Sequence, residues 1–227
     1  GSVARAETAE LSLVRRLVTS LQFMLVVVII VFCVYVWTQT PTFVTPINLI
    51  NILRNMSFIF IVGCFTTLVL VSGGLDLSIG SVFVVGAMAT AALLDSGVSI
   101  PLSIILGVAA GGFAGFVNGM VINYLNIPAF IATLGMLYIA RGLVVFLTKS
   151  LPIAPLPGDF NVIAQGTLAG LPYLVFIAVV VAIFAHILLE YSVFGSSIRA
   201  IGGNREAAQN MGIKVRRVSL AVYVLSG

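Results

Sequence analysis

Between Leu17 and Leu189 the chain is a succession of apolar runs separated by short polar links. Most are about as long as the roughly 20 residues a helix needs to cross the hydrocarbon core of a bilayer. Charged residues make up 8% of the chain and hydrophobic ones 60%, with a mean hydropathy of +1.21. An ordinary soluble domain carries about 25% charged residues, so a soluble globular fold is excluded. The expectation is an all-α polytopic transmembrane helix bundle in one membrane domain, with six spans and the start of a seventh.

The first span reads as Leu17 to Trp37, ending in the interfacial aromatics Tyr35 and Trp37. No small-residue cleavage site follows it, so it reads as a retained span; the opening Gly-Ser reads as a cloning remnant. A link with Pro41 and Pro46 leads through an amphipathic stretch, Ile47 to Asn55, into a second run from Met56 to Val71. The third runs from just after Asp76 to Leu94, and the fourth from Ile100 to Ile122. Pro128 opens a fifth that ends near Thr148, and the sixth covers Leu171 to Leu189. Lys149 to Gly170 reads as a long polar loop stiffened by Pro152, Pro155 and Pro157, with Pro172 just beyond. The chain then divides into a cytoplasmic tail 1–16, spans over 17–189, a cytoplasmic segment 190–217, and the first residues of a seventh span, 218–227.

Basic residues set the orientation. With the N-terminus inside, Arg5, Arg15, Arg16, Arg199, Arg205, Lys214, Arg216 and Arg217 face inward, eight of the eleven. Only Arg54, Arg141 and Lys149 fall on the outer side. This asymmetry is what the positive-inside rule requires, and it accounts for the net charge of +4 without nucleic acid. Cys33 and Cys64 sit in apolar runs as small buried hydrophobes.

Gly107, Gly111, Gly115 and Gly119 recur every four residues along the fourth span and lay one helix face open to close backbone approach. Ser72 to Gly80 reads as a helix stop at Gly73 and Gly74, a turn, and an Asp76 cap supported by Ser78 that opens the next helix. A carboxylate near a membrane is costly unless it caps, pairs or stays wet, so these four residues are also gating candidates. Arg141 lies seven residues before the fifth span ends, and either snorkels outward or pairs with Asp76, Asp95 or a substrate hydroxyl. His186 and Glu190 read as an i,i+4 pair at an interface. Asn118, Asn123 and Asn126 are amides that bond across helices or line a cavity. Thr66, Thr67, Asn118, Phe130, Thr133 and Arg141, hydrogen-bonding and aromatic groups within the spans, are candidates for a translocation path.

Several signatures are missing. The sequence has no GxxxxGK[ST], no HExxH and no Cys/His cluster, and His186 is the only histidine. Chains of intramembrane carboxylates, expected of a proton-driven pump, are also absent. The reading assigns no catalysis and no metal to the chain and looks elsewhere for its energy. A secondary transporter and a non-transporting membrane scaffold are the alternatives.

Four collinear segments carry a resemblance. They are the stretch around Phe43, Thr45, Asn48, Leu49, Asn51, Ile52 and Leu53; SGGLDLSIGS at 72–81; PAFIATLGM at 128–136 with ARG at 140–142; and FGSSIRAIGGNREAAQNMGI at 194–213. Together they resemble the ribose-type sugar permeases of bacterial ATP-binding-cassette importers, which include uptake systems for monosaccharides and the autoinducer-2 signal. The resemblance implies a subunit of the cell inner membrane that acts as a dimer. Its partners would be a cytoplasmic ATPase, which binds the ATP and Mg, and a periplasmic solute-binding protein. It implies that Ile201 to Ile213 is the element coupling permease to ATPase, carried by Gly202, Gly203, Asn204, Arg205, Glu206, Ala207, Ala208 and Gly212. In that segment Asn204 is suited to cap a short helix, Glu206 with two alanines forms a small polar knob, and Gly212 ends it. Family members continue through further C-terminal spans, so this chain is expected to stop some ten residues into its seventh.

Overall fold

The structure, a computed structural model, describes residues 20–227. The tail 1–16, with Arg5, Arg15 and Arg16, and the first three residues of the expected first span lie outside the described residues. The chain divides into two compact units, one up to Ile52 and the other from Leu53 onward.

In the first unit, α1 covers Leu21–Gln39 and is capped by Ser20, whose hydroxyl accepts from the Phe23 amide at 3.2 Å. It has no buried residue. A 3-10 turn, Pro41–Val44, follows, and α2 then starts at Pro46, where a proline lacks only an amide that a helix start leaves unpaired anyway. Asn48 secures this turn by donating to the Phe43 carbonyl at 2.7 Å.

Helix α2, Pro46–Val71, is continuous for 26 residues and crosses the boundary between the units. The separate amphipathic approach expected over Ile47 to Asn55 is its first part, because nothing between Ile47 and Val71 breaks the amide ladder. Beyond it come α3 (Ile79–Asp95), α4 (Ile100–Tyr124) and α5 (Ala129–Thr148). The expected loop Lys149 to Gly170 is more ordered than its composition indicated. It holds α6 (Gly158–Gln165) and a two-residue hairpin, β1 (Thr167–Leu168) paired antiparallel with β2 (Leu171–Pro172). Positive φ at both Ala169 and Gly170 makes the tight turn that joins the strands. Arg54 ties α2 to this region by donating to the Gln165 carbonyl at 2.9 Å. The chain continues through α7 (Tyr173–Tyr191), α8 (Val193–Gly203), α9 (Arg205–Asn210) and α10 (Val215–Ser226).

Among the described residues, five helices are long and apolar enough to cross a membrane: α1, α2, α4, α5 and α7. The third expected span, α3, is shorter at 17 residues, roughly 25 Å at 1.5 Å per residue against a core of about 30 Å. Residues 74–78, which precede it, lie outside any helix, with a bend at Leu77 and helical backbone angles at Ser78. The result is an all-α polytopic bundle, as the apolar runs required.

Helix α4 is the spine of the second unit, with α3 packed along one flank and α10 along another. The glycine row makes this possible. A Cβ on Gly107 would meet the Gly86 carbonyl oxygen of α3 at 2.7 Å and collide with the Thr90 hydroxyl. On Gly111 and Gly115 it would collide with the carbonyls of Gly227 and Tyr223, and on Gly119 it would meet a Leu220 methyl at 2.6 Å. Leu68 and Val69 of α2, Ile198 of α8, and Val222 and Tyr223 of α10 form the main buried cluster.

Gly115→Val drives a side chain into the α10 backbone, which cannot rotate away. We expect a loss of roughly 1–3 kcal/mol, read as a drop in melting temperature in detergent. Gly63→Ala in α2, with nothing within 4 Å of its Cβ position, is the contrast and raises stability by about 0.5–1 kcal/mol. Equal melting of the two variants would contradict the packing role of the row.

Candidate functional site

The break between α2 and α3 is where the sequence-predicted residues converge. Gly73 takes a φ of +75°, the left-handed conformation glycine adopts at least cost. Its amide donates to the Leu70 carbonyl, and the Gly74 amide to Val69, each at 3.0 Å. These two bonds are the paired closure of a helix C-terminus. Asp76 differs in detail from its expected role. Its carboxylate accepts from the Ser78 amide at 2.8 Å and from the Ser78 hydroxyl at 2.6 Å, which bridges the turn, while Ser78 itself occupies the cap position of α3. The reason is spacing, since the helix starts at Ile79, three residues beyond Asp76.

Ser78 passes this link on. Its oxygen also accepts from the Asn118 side-chain amide of α4 at 2.8 Å, and both residues are fully or almost fully buried. A chain of polar contacts thus runs Asp76–Ser78–Asn118 from the turn into the middle of the bundle. On the other side the Tyr223 hydroxyl donates to the Leu75 carbonyl at 3.3 Å. A Cβ on Gly74 would meet that hydroxyl at 2.8 Å.

The segment 193–213 packs directly on this turn. Ser192 caps α8 by accepting from the Gly195 amide at 2.9 Å and donates to the Leu188 carbonyl. At the far end of α8, Gly202 lies so close that an added Cβ would collide with the Val71 carbonyl, and a Cβ on Gly73 would lie 3.6 Å from the Gly202 Cα. Gly203 borders open space. Asn204 accepts from the Ala207 amide at 2.9 Å and caps α9, as its residue type predicts. Gly212, at φ +86°, ends α9 with a second paired closure: Gly212 to Gln209 at 3.0 Å and Ile213 to Ala208 at 3.1 Å. Arg205, though exposed, reaches α4 and donates to the Asn123 side-chain oxygen at 3.1 Å. A cleft of about 340 Å³ opens between these parts, lined by Ser72, Gly73, Gly74, Asn126, Arg205 and Tyr223 among others.

Two expectations need correction. Ala208 does not contribute to an exposed knob with Ala207. It is fully buried against Ile201 and Val215, because the helical period turns one alanine of the pair inward. The exposed residues of α9 are Arg205, Glu206, Ala207, Gln209 and Asn210, followed by Met211, which is 71% exposed. Glu190 pairs with Arg199 at 2.9 Å and not with His186. Arg199 also donates to the Leu189 carbonyl at 2.6 Å, so a second bond fixes its guanidinium beside the carboxylate, and the His186 ring packs edge-on against Tyr191.

The remaining candidates are dispersed. Thr66 and Thr67 donate to the Val62 and Gly63 carbonyls within α2, both at 2.8 Å. Thr133 is fully buried and bonds back to Ala129 at 2.8 Å. Phe130 is exposed on α5. Arg141 lines a cleft of about 480 Å³ with Leu77, Gly80, Ser81 and Val84. No ion pair joins it to Asp76 or Asp95 among the described residues. Sequence reasoning missed Tyr223 and Ile198, the side chains that pack the turn. The only available signal was that Tyr223 is the one aromatic in the last apolar stretch.

Residues 48–227 match the family described as branched-chain amino acid transport system / permease component. The chain is 37% identical over 207 residues to the probable ABC transporter permease protein YphD of Escherichia coli, covering 90% of this chain and 61% of that one. It is 33% identical over 189 residues to the ribose import permease protein RbsC of Bacillus subtilis, covering 82% and 59%. To the galactose/methyl galactoside import permease protein MglC of Salmonella typhimurium it is 35% identical over 220 residues, covering 88% and 66%. The protein is a multi-pass membrane chain belonging to this permease-component family, as the four motif segments implied. It spans about three-fifths of the length of the first of these relatives. No solved structure matches it.

The Ser78–Asn118 link generates a test. Ser78→Ala leaves the buried Asn118 amide unpaired and costs about 1–3 kcal/mol, whereas Asn118→Ala leaves Ser78 its bond to Asp76 and costs less. A double-mutant cycle on thermal stability in detergent returns a coupling of about 0.5–3 kcal/mol. Strict additivity would contradict a direct bond.

Proposed function

We propose that the chain is the permease subunit of an ATP-driven importer that moves a sugar or sugar-like solute into the cytoplasm. In this reading residues 201–213 dock on a separate ATPase, which binds the ATP and Mg, and the chain itself carries no covalent chemistry. A solute-binding protein on the outer side delivers the substrate, and a second permease chain completes the pathway. Relatives named as ribose and galactose import permeases support the solute class.

The observation that carries the reading is the backbone contact of Gly202 with Val71 and Ser72. An added Cβ there would collide with the Val71 carbonyl, so the two backbones approach closely and α8 bears on the end of α2. Behind Gly202, Ile198 and Ile201 anchor α8 in the buried clusters. Ahead of it Glu206, Ala207, Asn210 and Met211 are exposed to a partner. A push on α9 would therefore reach the α2–α3 break, and from there Asn118 through Ser78 and Asp76. Rigid-body closure of two ATPases is the kind of motion that switches access in this way. The same end of the helices carries Arg199, Arg205, Lys214, Arg216 and Arg217, which supports a cytoplasmic face here and, with α3 taken as a sixth crossing beside the five longer helices, a cytoplasmic N-terminus in the inner membrane.

The test is co-purification in detergent with the ATPase encoded nearest to the gene. Glu206→Arg with Met211→Asp changes only exposed side chains and should leave melting within about 0.5 kcal/mol of the parent. Retention of the ATPase should fall about tenfold or more, the scale of losing central interface contacts. Equal retention by parent and variant would remove the docking role from α9.

A further inference from the structure

A third cleft, of about 680 Å³, opens where α9 meets the start of α10 and the end of α4. Arg205, Lys214, Arg216 and Arg217 all line it, together with Gln209 and Tyr124. None of its lining residues is a carboxylate. Asp76 is engaged with Ser78 and Glu190 with Arg199. Among the described residues no ion pair joins a carboxylate to any of the four cations. Like charges gathered in one hollow repel one another, so the arrangement favours an anion between them.

Two of the four are held in place. Arg205 is tied to Asn123 at 3.1 Å, and the Arg216 guanidinium lies over the Tyr124 ring, 5.9 Å from its centroid. Tyr124 is the last residue of α4, a 25-residue apolar helix. The cleft therefore sits at the level where the hydrocarbon core ends and headgroups begin, which is also where tyrosines concentrate. This placement holds whichever leaflet the cleft faces. The cleft is bounded partly by Ile213 and Val215, apolar side chains of the kind that meet the glycerol and upper acyl region of a lipid. The N-terminus of α10 opens into it and adds the positive end of a helix dipole.

We infer that this cleft binds the phosphate-bearing headgroup of an anionic phospholipid. Guanidinium and ammonium groups take the phosphate oxygens, and the Gln209 side chain is placed to bond a headgroup hydroxyl. The hollow shape and its level at the helix ends favour a lipid.

The test uses the purified full chain in lipid nanodiscs and measures association of spin-labelled phosphatidylglycerol against spin-labelled phosphatidylcholine. We expect the parent to select phosphatidylglycerol by roughly fivefold or more, on the order of one or two neutralised charges. Lys214→Gln with Arg217→Gln leaves the Arg205 and Arg216 contacts intact and should bring selection down to about twofold or less. Lys149→Gln, a cation away from the cleft, should change nothing. Millimolar inorganic phosphate should leave the lipid bound. Displacement by phosphate would assign the cleft to a free phosphate compound, not a lipid. Equal selection by parent and double variant, or equal loss with Lys149→Gln, would overturn the site. So would absent lipid selection together with weaker ATPase retention by the double variant, which would make the cleft a protein interface.

Discussion

Helices in lipid gain nothing by burying apolar surface against one another, because the lipid tails are as apolar as a leucine. Association has to come from close contact of backbones and from hydrogen bonds between helices. In this chain glycine makes the close contacts. Gly107, Gly111, Gly115 and Gly119 bring α3 and α10 onto α4, and Gly202 brings α8 onto the end of α2. The two sets have different consequences. The α4 row builds a stable spine, and the single contact at Gly202 joins an exposed segment to a break in the bundle.

That break would be untenable if its backbone were left unpaired in a nonpolar medium. Several of its groups are accounted for. The Gly73 and Gly74 amides close the end of α2, the Leu75 carbonyl accepts from Tyr223, and the Ser78 amide is held by Asp76. The Asp76 carboxylate receives two hydrogen bonds within its own turn, which is one of the ways a carboxylate near a membrane is tolerated. The arrangement also makes the turn sensitive to its neighbours, because α4 and α10 each supply a bond to it. A displacement of α8 would have to be accommodated by all of them.

Charge is sorted in the same region. Arg199 is neutralised locally by Glu190. Arg205, Lys214, Arg216 and Arg217 are left around one hollow at the helix ends. The basic residues of the 205–217 stretch are thereby gathered into one place in the folded chain.

Much of this was legible in the residues. Run lengths dictated helices, the four-residue glycine spacing marked the packing face of α4, and Asn204 and Gly212 bounded α9 by residue type alone. Local chemistry suffices for such features, since a cap or a left-handed turn depends on neighbours a few residues away. The order within Lys149 to Gly170 was not legible, because proline and glycine mark a turn without saying what is built around it. The pairing of Glu190 with Arg199, the burial of Ala208 and the Asp76–Ser78–Asn118 chain were hidden for another reason. Each depends on which helix face lies against which neighbour. Tyr223 reaches Leu75 across 148 positions, and Arg205 reaches Asn123 across 82. The sequence by itself determined a polytopic helical membrane chain and its family. Only the tertiary structure decided that the glycine turn, the 193–213 segment and the basic cleft meet at one end of the bundle, because that meeting is set by backbone contacts between segments far apart in the chain.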